Sequence, residues 1–175
     1  EGHGMVARGA RGRLHLGAGV LALEGRFIPH FATRVTPELD RLAQATGASA
    51  FLSVAQGAES VAVAVSLPEG RELQVAYRIG SRHPLTRGAA GIAILSARAP
   101  APEDLASVTQ ARDAGFSLTR GELQKGAVGL AVPLRLPRGI EACVGVVAME
   151  DLAVSPAQSA VRNCAEAIQG AMGEP

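Results

Sequence analysis

Apolar residues alternate with small or polar ones in two separate clusters of this chain, and recur at helical spacing around them. In the first cluster Ala50, Leu52 and Val54 alternate, and Gln56-Gly57-Ala58 turns the chain. Val61, Val63 and Val65 then alternate with Ala62 and Ala64, so both sides of this run are apolar and a strand covered on both faces is predicted. Pro68-Glu69-Gly70 turns the chain again, and residues 73–79 read as a third strand. Such short connections predict an antiparallel meander. In the second cluster, residues 126–134 and 140–149 form two longer strands joined by Pro137-Arg138-Gly139, after a short strand over 116–118.

Helical spacing appears first at Val20, Leu23, Phe27 and Phe31, with Pro29 predicted to end or kink that helix near Ile28. A new helix is predicted from Thr36 as N-cap, with Pro37 at its first position and Glu38 in its first turn. Leu39, Leu42 and Ala43 give its apolar face, and Gly47 stops it. Helices over 87–97 and 103–113 follow, separated by Pro100 and Pro102. Ser155-Pro156-Ala157-Gln158 has the form of a capping box. The last helix carries Val161, Cys164, Ala165, Ile168 and Met172 on one side. Ahead of everything, residues 4–8 and 13–16 flank a Gly9–Gly12 turn as a hairpin too small to stand alone. The order predicts an α+β fold with a central, mostly antiparallel sheet of five or six strands and helices packed on it.

Composition narrows the function. The 175 residues suffice for one domain with short appendages. Aromatic residues are 3% and Trp is absent, so the core must be built from Ala, Val, Leu and Ile. No apolar run reaches the roughly 18 residues of a membrane span, and the first 17 residues lack the apolar stretch of a secretory signal. No membrane partner and a cytoplasmic location are therefore expected. Cys143 and Cys164 have spacing that permits a pair, but two buried reduced thiols are expected. The net charge of +1 rules out a chain that binds polyanions as a whole. Residues 1–34 nevertheless hold five arginines against Glu1 and Glu24. That end either lies near phosphates or is a solvated, flexible terminus.

Catalytic chemistry has little to stand on. The nucleophile candidates are the cysteines and several serines, and a nucleophile needs an adjacent base. His3 and His15 fall in the hairpin and His30 in a helix junction, which leaves His83 before Pro84. There is no Gly-x-Ser-x-Gly, no Cys-x-x-Cys, no His-x-x-x-His, no phosphate loop and no dinucleotide fingerprint. No catalytic residue, metal site or cofactor is assigned. A binding site has more support. Gly88, Ala89, Ala90 and Gly91 form a helix start almost bare of side chains, where backbone N–H groups can receive an anionic or polar group. Ala127, Gly129 and Ala131 share one face of their strand, and Ala142, Val144, Val146 and Ala148 share one face of theirs. Small residues side by side either leave room for a ligand above the sheet or let a helix pack closely on it.

Several motifs together resemble the IclR-type transcription regulators over nearly the whole chain. Gly4-Met-Val-Ala-Arg8 followed by Arg13-Leu-His-Leu-Gly17 resembles the end of a winged helix-turn-helix. The segment Pro37 to Gly47 is similar to the helix that precedes that family's first effector-domain strand. Gly80-Ser-Arg82 with Pro84 and then Gly91 is similar to its loop-to-helix signature, and Ala114-Gly-Phe116, Glu122, Gly126 and Pro133 to its second. Thr86 stands where the family commonly has His, and Ile92 where it commonly has Lys.

The resemblance implies a GAF-like effector-binding domain over 35–175, a linker helix over 18–34 and the remnant of a DNA-binding wing over 1–17. It implies a non-enzymatic ligand sensor, dimeric or tetrameric, reaching DNA through a domain whose recognition helix lies before residue 1. A small enzyme on the same scaffold, or a ligand-free dimerisation domain, are the alternatives. The implied effector contacts are Val75, Gly88, Ala89, Ala90, Gly91, Thr119, Ala127, Gly129, Val146 and Ala148, and the implied DNA-proximal residues are Arg8, Arg11 and Arg13. Thr and small apolar residues at Thr119, Gly129, Val146 and Ala148 disfavour the smallest polar acids. They favour an apolar or aromatic carboxylic acid whose carboxylate meets the Gly88–Gly91 amides.

Overall fold

The computed structural model describes residues 5–8, 12–17, 31–70 and 77–173. The chain divides into two units, residues 1–33 and 34–175. In the first, β1 (Val6–Arg8) and β2 (Leu14–Leu16) pair antiparallel, with Val6 opposite Leu16. The expected hairpin is present; the 18–30 part of the expected linker helix lies outside the described residues.

Among the described residues, the second unit is built on a six-stranded sheet. After α1 (Phe31–Thr46) come β3 (Ser49–Gln56), β4 (Glu59–Ser66), β5 (Arg82–Pro84), α2 (Gly88–Ser96) and α3 (Ala106–Ala114). Next are β6 (Ser117–Arg120), β7 (Ala127–Leu136), β8 (Ile140–Met149) and α4 (Val154–Gly173). The strand order is β5-β4-β3-β8-β7-β6, and every neighbouring pair is antiparallel. The two clusters seen in the sequence thus form the two halves of one sheet, joined where β3 meets β8. The α+β, GAF-like expectation holds.

Some boundaries differ. Pro37 lies inside α1 and does not open a new helix, because the chain is already helical from Phe31 and both Val35 and Leu39 are fully buried. The helix predicted at 103 begins at Ala106. Asp104 is held in a turn instead: its backbone N–H donates to Ala101, its carboxylate accepts from the Ala101 N–H, and Arg112 pairs with it at 2.8 Å. Ser155 sits within the first turn of α4, which starts at Val154, and does not precede it. In β4 the Val61, Val63 and Val65 side is half-buried; among the described residues this strand is one from the sheet edge, and its outer partner β5 has three residues. Most of the strand predicted over 73–79 falls outside the described residues.

Pairing register decides what each sheet face carries. Residues directly opposite in an antiparallel pair share a face. Phe51 is opposite Gly145, Gly145 opposite Ala131, Val147 opposite Gly129, and Gly129 opposite Thr119. This face takes α2: Ala89, Ala90, Ala93 and Ile94 pack with Phe51, Ala131 and Cys143. Gly145 leaves room for its cross-strand neighbours: a Cβ there would stand 2.4 Å from the Leu130 carbonyl oxygen, 2.8 Å from the Phe51 ring and 2.9 Å from the Ala131 methyl. The opposite face holds Leu52, Val144, Val146 and Leu130 and takes α4, through buried Val161 and Ile168, and α1 meets α4 where the Cys164 thiol donates to the Glu38 carbonyl.

Both cysteines are free and buried. Burial pushes each thiol up to about 12. The fold therefore favours the neutral thiols. Their contribution is complete below the unfolded thiol value of about 8.5 and is lost as pH rises toward the folded one. In reductant, the melting temperature is expected to fall above about pH 9. The double variant Cys143→Ala, Cys164→Ala is expected to soften that fall. An identical alkaline profile in the two proteins contradicts the assignment.

Candidate ligand-binding pocket

On the α2 side of the sheet, a cavity of about 190 Å³ opens between the start of that helix, strands β3, β6, β7 and β8, and two loops. Its floor is Gly129, Ala127 and Val147, and Thr119 flanks it from β6. Ala89 and Ala90 close it from the helix, and Glu122, Leu123 and Gln124 lie across it from the β6–β7 loop. Gly129 leaves the room: a Cβ there would lie 3.1 Å from the Ala89 methyl and 3.2 Å from the Thr119 hydroxyl.

One wall is aromatic. The Phe51 and Tyr77 rings lie 4.8 Å apart, tilted by 48°, and Tyr77 stacks on His83 at 6.0 Å. In a chain with one tyrosine and no tryptophan, this is a concentrated use of rings. Burial raises the Tyr77 phenol above its ordinary value, with Ser53 and Cys143 as smaller influences, so it stays protonated and able to donate. Burial, and then the charge of Arg87, lower His83 below the usual imidazole value, so it is neutral at pH 7. The Tyr77 and Ser53 hydroxyls are buried near each other, and among the described residues neither makes a hydrogen bond of good geometry. An unsatisfied buried hydroxyl costs about 1–3 kcal/mol, which a bound partner would recover.

The start of α2 is not vacant. The Gly88 N–H donates to the Glu122 carboxylate at 2.7 Å, and Arg87 donates to the Glu122 carbonyl at 2.6 Å. Gly88 is favoured here by its conformation, and a side chain would also have to displace Leu123. The Gly88 φ is +75°, and a Cβ would stand 2.5 Å from the Leu123 side chain.

Of the residues singled out in the sequence, Ala89, Ala90, Thr119, Ala127 and Gly129 meet around the cavity. Gly88 meets the loop that covers it, while Gly91 is pressed against the Leu85 backbone and does not line it. Val146 and Ala148 are a correction: they pair with Leu130 and Val128 on the opposite face, so they cannot face this cavity. The small-residue sets of the two late strands therefore do not lie side by side. Val75 and Arg11 lie outside the described residues. Arg8 and Arg13 are exposed in the hairpin unit. Sequence reasoning missed Phe51, Tyr77, Leu123 and Val147; the lone tyrosine of a Trp-free chain was the available signal. His83 and Glu122 both reach the cavity, but no cysteine does. Among the described residues, no three His, Cys, Asp or Glu side chains form a metal-binding group, and no helix is long and apolar enough to cross a membrane.

No family model matches the sequence, and no curated protein matches it. Solved structures do resemble the fold. A candidate IclR transcriptional regulator of Silicibacter sp. TM1040 has a TM-score of 0.83 at 19% identity, over 98% of this chain and 79% of its own. An IclR homologue of Microbacterium hydrocarbonoxydans, complexed with 4-hydroxybenzoate, has a TM-score of 0.80 at 20% identity, over 97% of this chain and 80% of its own. The Thermotoga maritima IclR has a TM-score of 0.70 at 17% identity, over 98% and 81%. Over nearly its whole length, this chain has the fold of the IclR-type transcriptional regulators.

Proposed function

We propose that the chain is the sensing part of an IclR-type regulator, in which an effector held beside α2 alters DNA binding or oligomeric state of the full-length, cytoplasmic protein. The single observation that carries this reading is the cavity with its unsatisfied Tyr77 phenol. Its size points to a one-ring effector, since an apolar cavity of about 150 Å³ suffices for benzene. The Phe51–Tyr77–His83 wall favours an aromatic ring with a hydroxyl or carboxyl substituent. The 4-hydroxybenzoate found with the Microbacterium structure is of that class. DNA contact is assigned to a winged-helix domain whose wing is residues 1–17, with Arg8, Arg11 and Arg13 nearest the phosphates. Residues 18–34 are assigned as linker, residues 35–175 as effector domain, and the assembly as a homodimer or homotetramer.

The enzyme alternative gains from His83 and Glu122 lining one cavity, but His83 stacks on Tyr77 and Glu122 is engaged by a backbone amide. Among the described residues, neither of these side chains is hydrogen-bonded to a nucleophilic side chain. A panel of phenols, hydroxybenzoates, naphthols and short aliphatic acids separates the readings. One-ring aromatics are expected to raise the melting temperature and to be recovered unchanged, because a ligand of the folded state must stabilise it. A panel in which only the shortest acids bind sinks the aromatic reading, and ligand turnover favours an enzyme.

A further inference from the structure

The loop between β6 and β7 is hydrogen-bonded to the start of α2 through one residue, Glu122. Its turn is closed by the Gly121 N–H donating to Ala127 at 2.8 Å and the Ala127 N–H donating to Gln124 at 3.0 Å. It meets the helix through the Glu122 carboxylate on the Gly88 N–H, the Arg87 bond to the Glu122 carbonyl, and Leu123 resting on Gly88. Leu123 is 43% exposed, so little apolar burial holds the loop. Among the described residues lining the cavity, Glu122 supplies the formal charge; His83 is neutral at pH 7. Two observations independent of the helix start point to a ligand beneath the loop. Among the described residues the buried Tyr77 hydroxyl makes no hydrogen bond of good geometry, and Thr119, 8% exposed, lines the cavity with its hydroxyl over the bare Gly129.

We propose that Glu122 is a built-in occupant of the anion position at the start of α2, and that a carboxylate ligand binds by exchanging with it and releasing the 121–126 loop. This rests on the cavity being the effector site. Two carboxylates cannot share one amide without repelling each other. An acid therefore pushes Glu122 off Gly88, and among the described residues the loop keeps only the Arg87 bond and the Leu123 contact to the helix start. A neutral ligand of the same shape leaves Glu122 in place and packs beneath the closed loop. One site thus gives two outputs, set by the charge of the occupant.

The chain carries its own reporter. Lys125, exposed in this loop, is the sole lysine of the 175 residues. A lysine-specific endoproteinase therefore makes a single cut, and its rate reads how often the loop leaves the body. Benzoate and benzamide serve as probes of equal shape and different charge. Without ligand, Glu122→Ala is expected to be cut about tenfold faster than the parent, the effect of losing one charge-assisted hydrogen bond. In the parent, benzoate is expected to speed the cut and benzamide to slow it. By calorimetry, Glu122→Ala is expected to gain about tenfold in benzoate affinity and little in benzamide affinity. Equal cutting of ligand-free variant and parent overturns the proposal. Binding of both probes with an unchanged preference in Glu122→Ala overturns the exchange and leaves the cavity reading intact. Failure of both probes to bind either protein overturns the two together.

Discussion

Gly91→Ala is expected to lower the melting temperature by roughly 6–12 °C, whereas Gly170→Ala is expected to raise it slightly. Both glycines lie in helices, Gly91 in α2 and Gly170 on the exposed side of α4. Intrinsic propensity favours alanine at each by about 1 kcal/mol. Nothing lies within 4 Å of a Cβ placed on Gly170, so propensity decides there. A Cβ on Gly91 would stand 2.4 Å from the Leu85 carbonyl oxygen, 2.6 Å from its Cα and 2.7 Å from its carbonyl carbon. The obstacle is backbone, so no rotamer change relieves it. Leu85 is itself anchored, its N–H donating to Ala58 at 2.9 Å and the residue only 4% exposed. Either α2 lifts from the sheet or the β5–α2 turn is torn from β4. We set the net cost at about 3 kcal/mol, the upper part of the overpacking range, after the propensity gain is subtracted. Calorimetric melting of the two variants beside the parent measures both signs. A melting temperature for Gly91→Ala at or above the parent's contradicts the close approach.

That pair also shows where local reading stops. The run from Gly88 to Gly91 suggests bare amides, and the structure gives each of its glycines a separate reason: conformation and Leu123 at Gly88, the Leu85 backbone at Gly91. The strands and their halves are readable because alternation and turn residues are local. The face is not. Strands β7 and β8 carry apolar residues on both sides because helices cover both, so alternation cannot say which side meets which helix. A register different by one residue exchanges the two faces. Val146 and Ala148 were lost to the cavity and Val147 gained by that single step. Glu122 was visible as a motif residue, but its task depends on Gly88, 34 positions earlier in the chain. Composition alone marks Tyr77, as the one tyrosine of a Trp-free chain, and its partners Phe51 and His83 are set by the fold and not by neighbouring sequence.

Thr119→Phe is expected to leave the domain folded and to weaken one-ring ligands at least 100-fold, or about 2.7 kcal/mol. Thr119 is on the edge strand β6, directly opposite Gly129, with its hydroxyl over the bare glycine. An aromatic side chain facing a cross-strand glycine covers exposed backbone, so the ring has a place to lie. That place is the cavity. A phenyl group needs much of the roughly 150 Å³ that holds benzene, and only about 190 Å³ is present. The ligand and the new ring therefore exclude each other. Thr119→Val separates volume from hydrogen bonding, because it keeps the shape and removes the hydroxyl. Its loss is expected to be about 0.5–1.5 kcal/mol, and only for ligands with a polar substituent on that side. If Thr119→Phe melts normally yet binds one-ring ligands within tenfold of the parent, the ligand does not sit over Gly129. If Thr119→Val loses as much as Thr119→Phe, the hydroxyl and not the space is what the ligand reads, and the pocket selects by polarity before size.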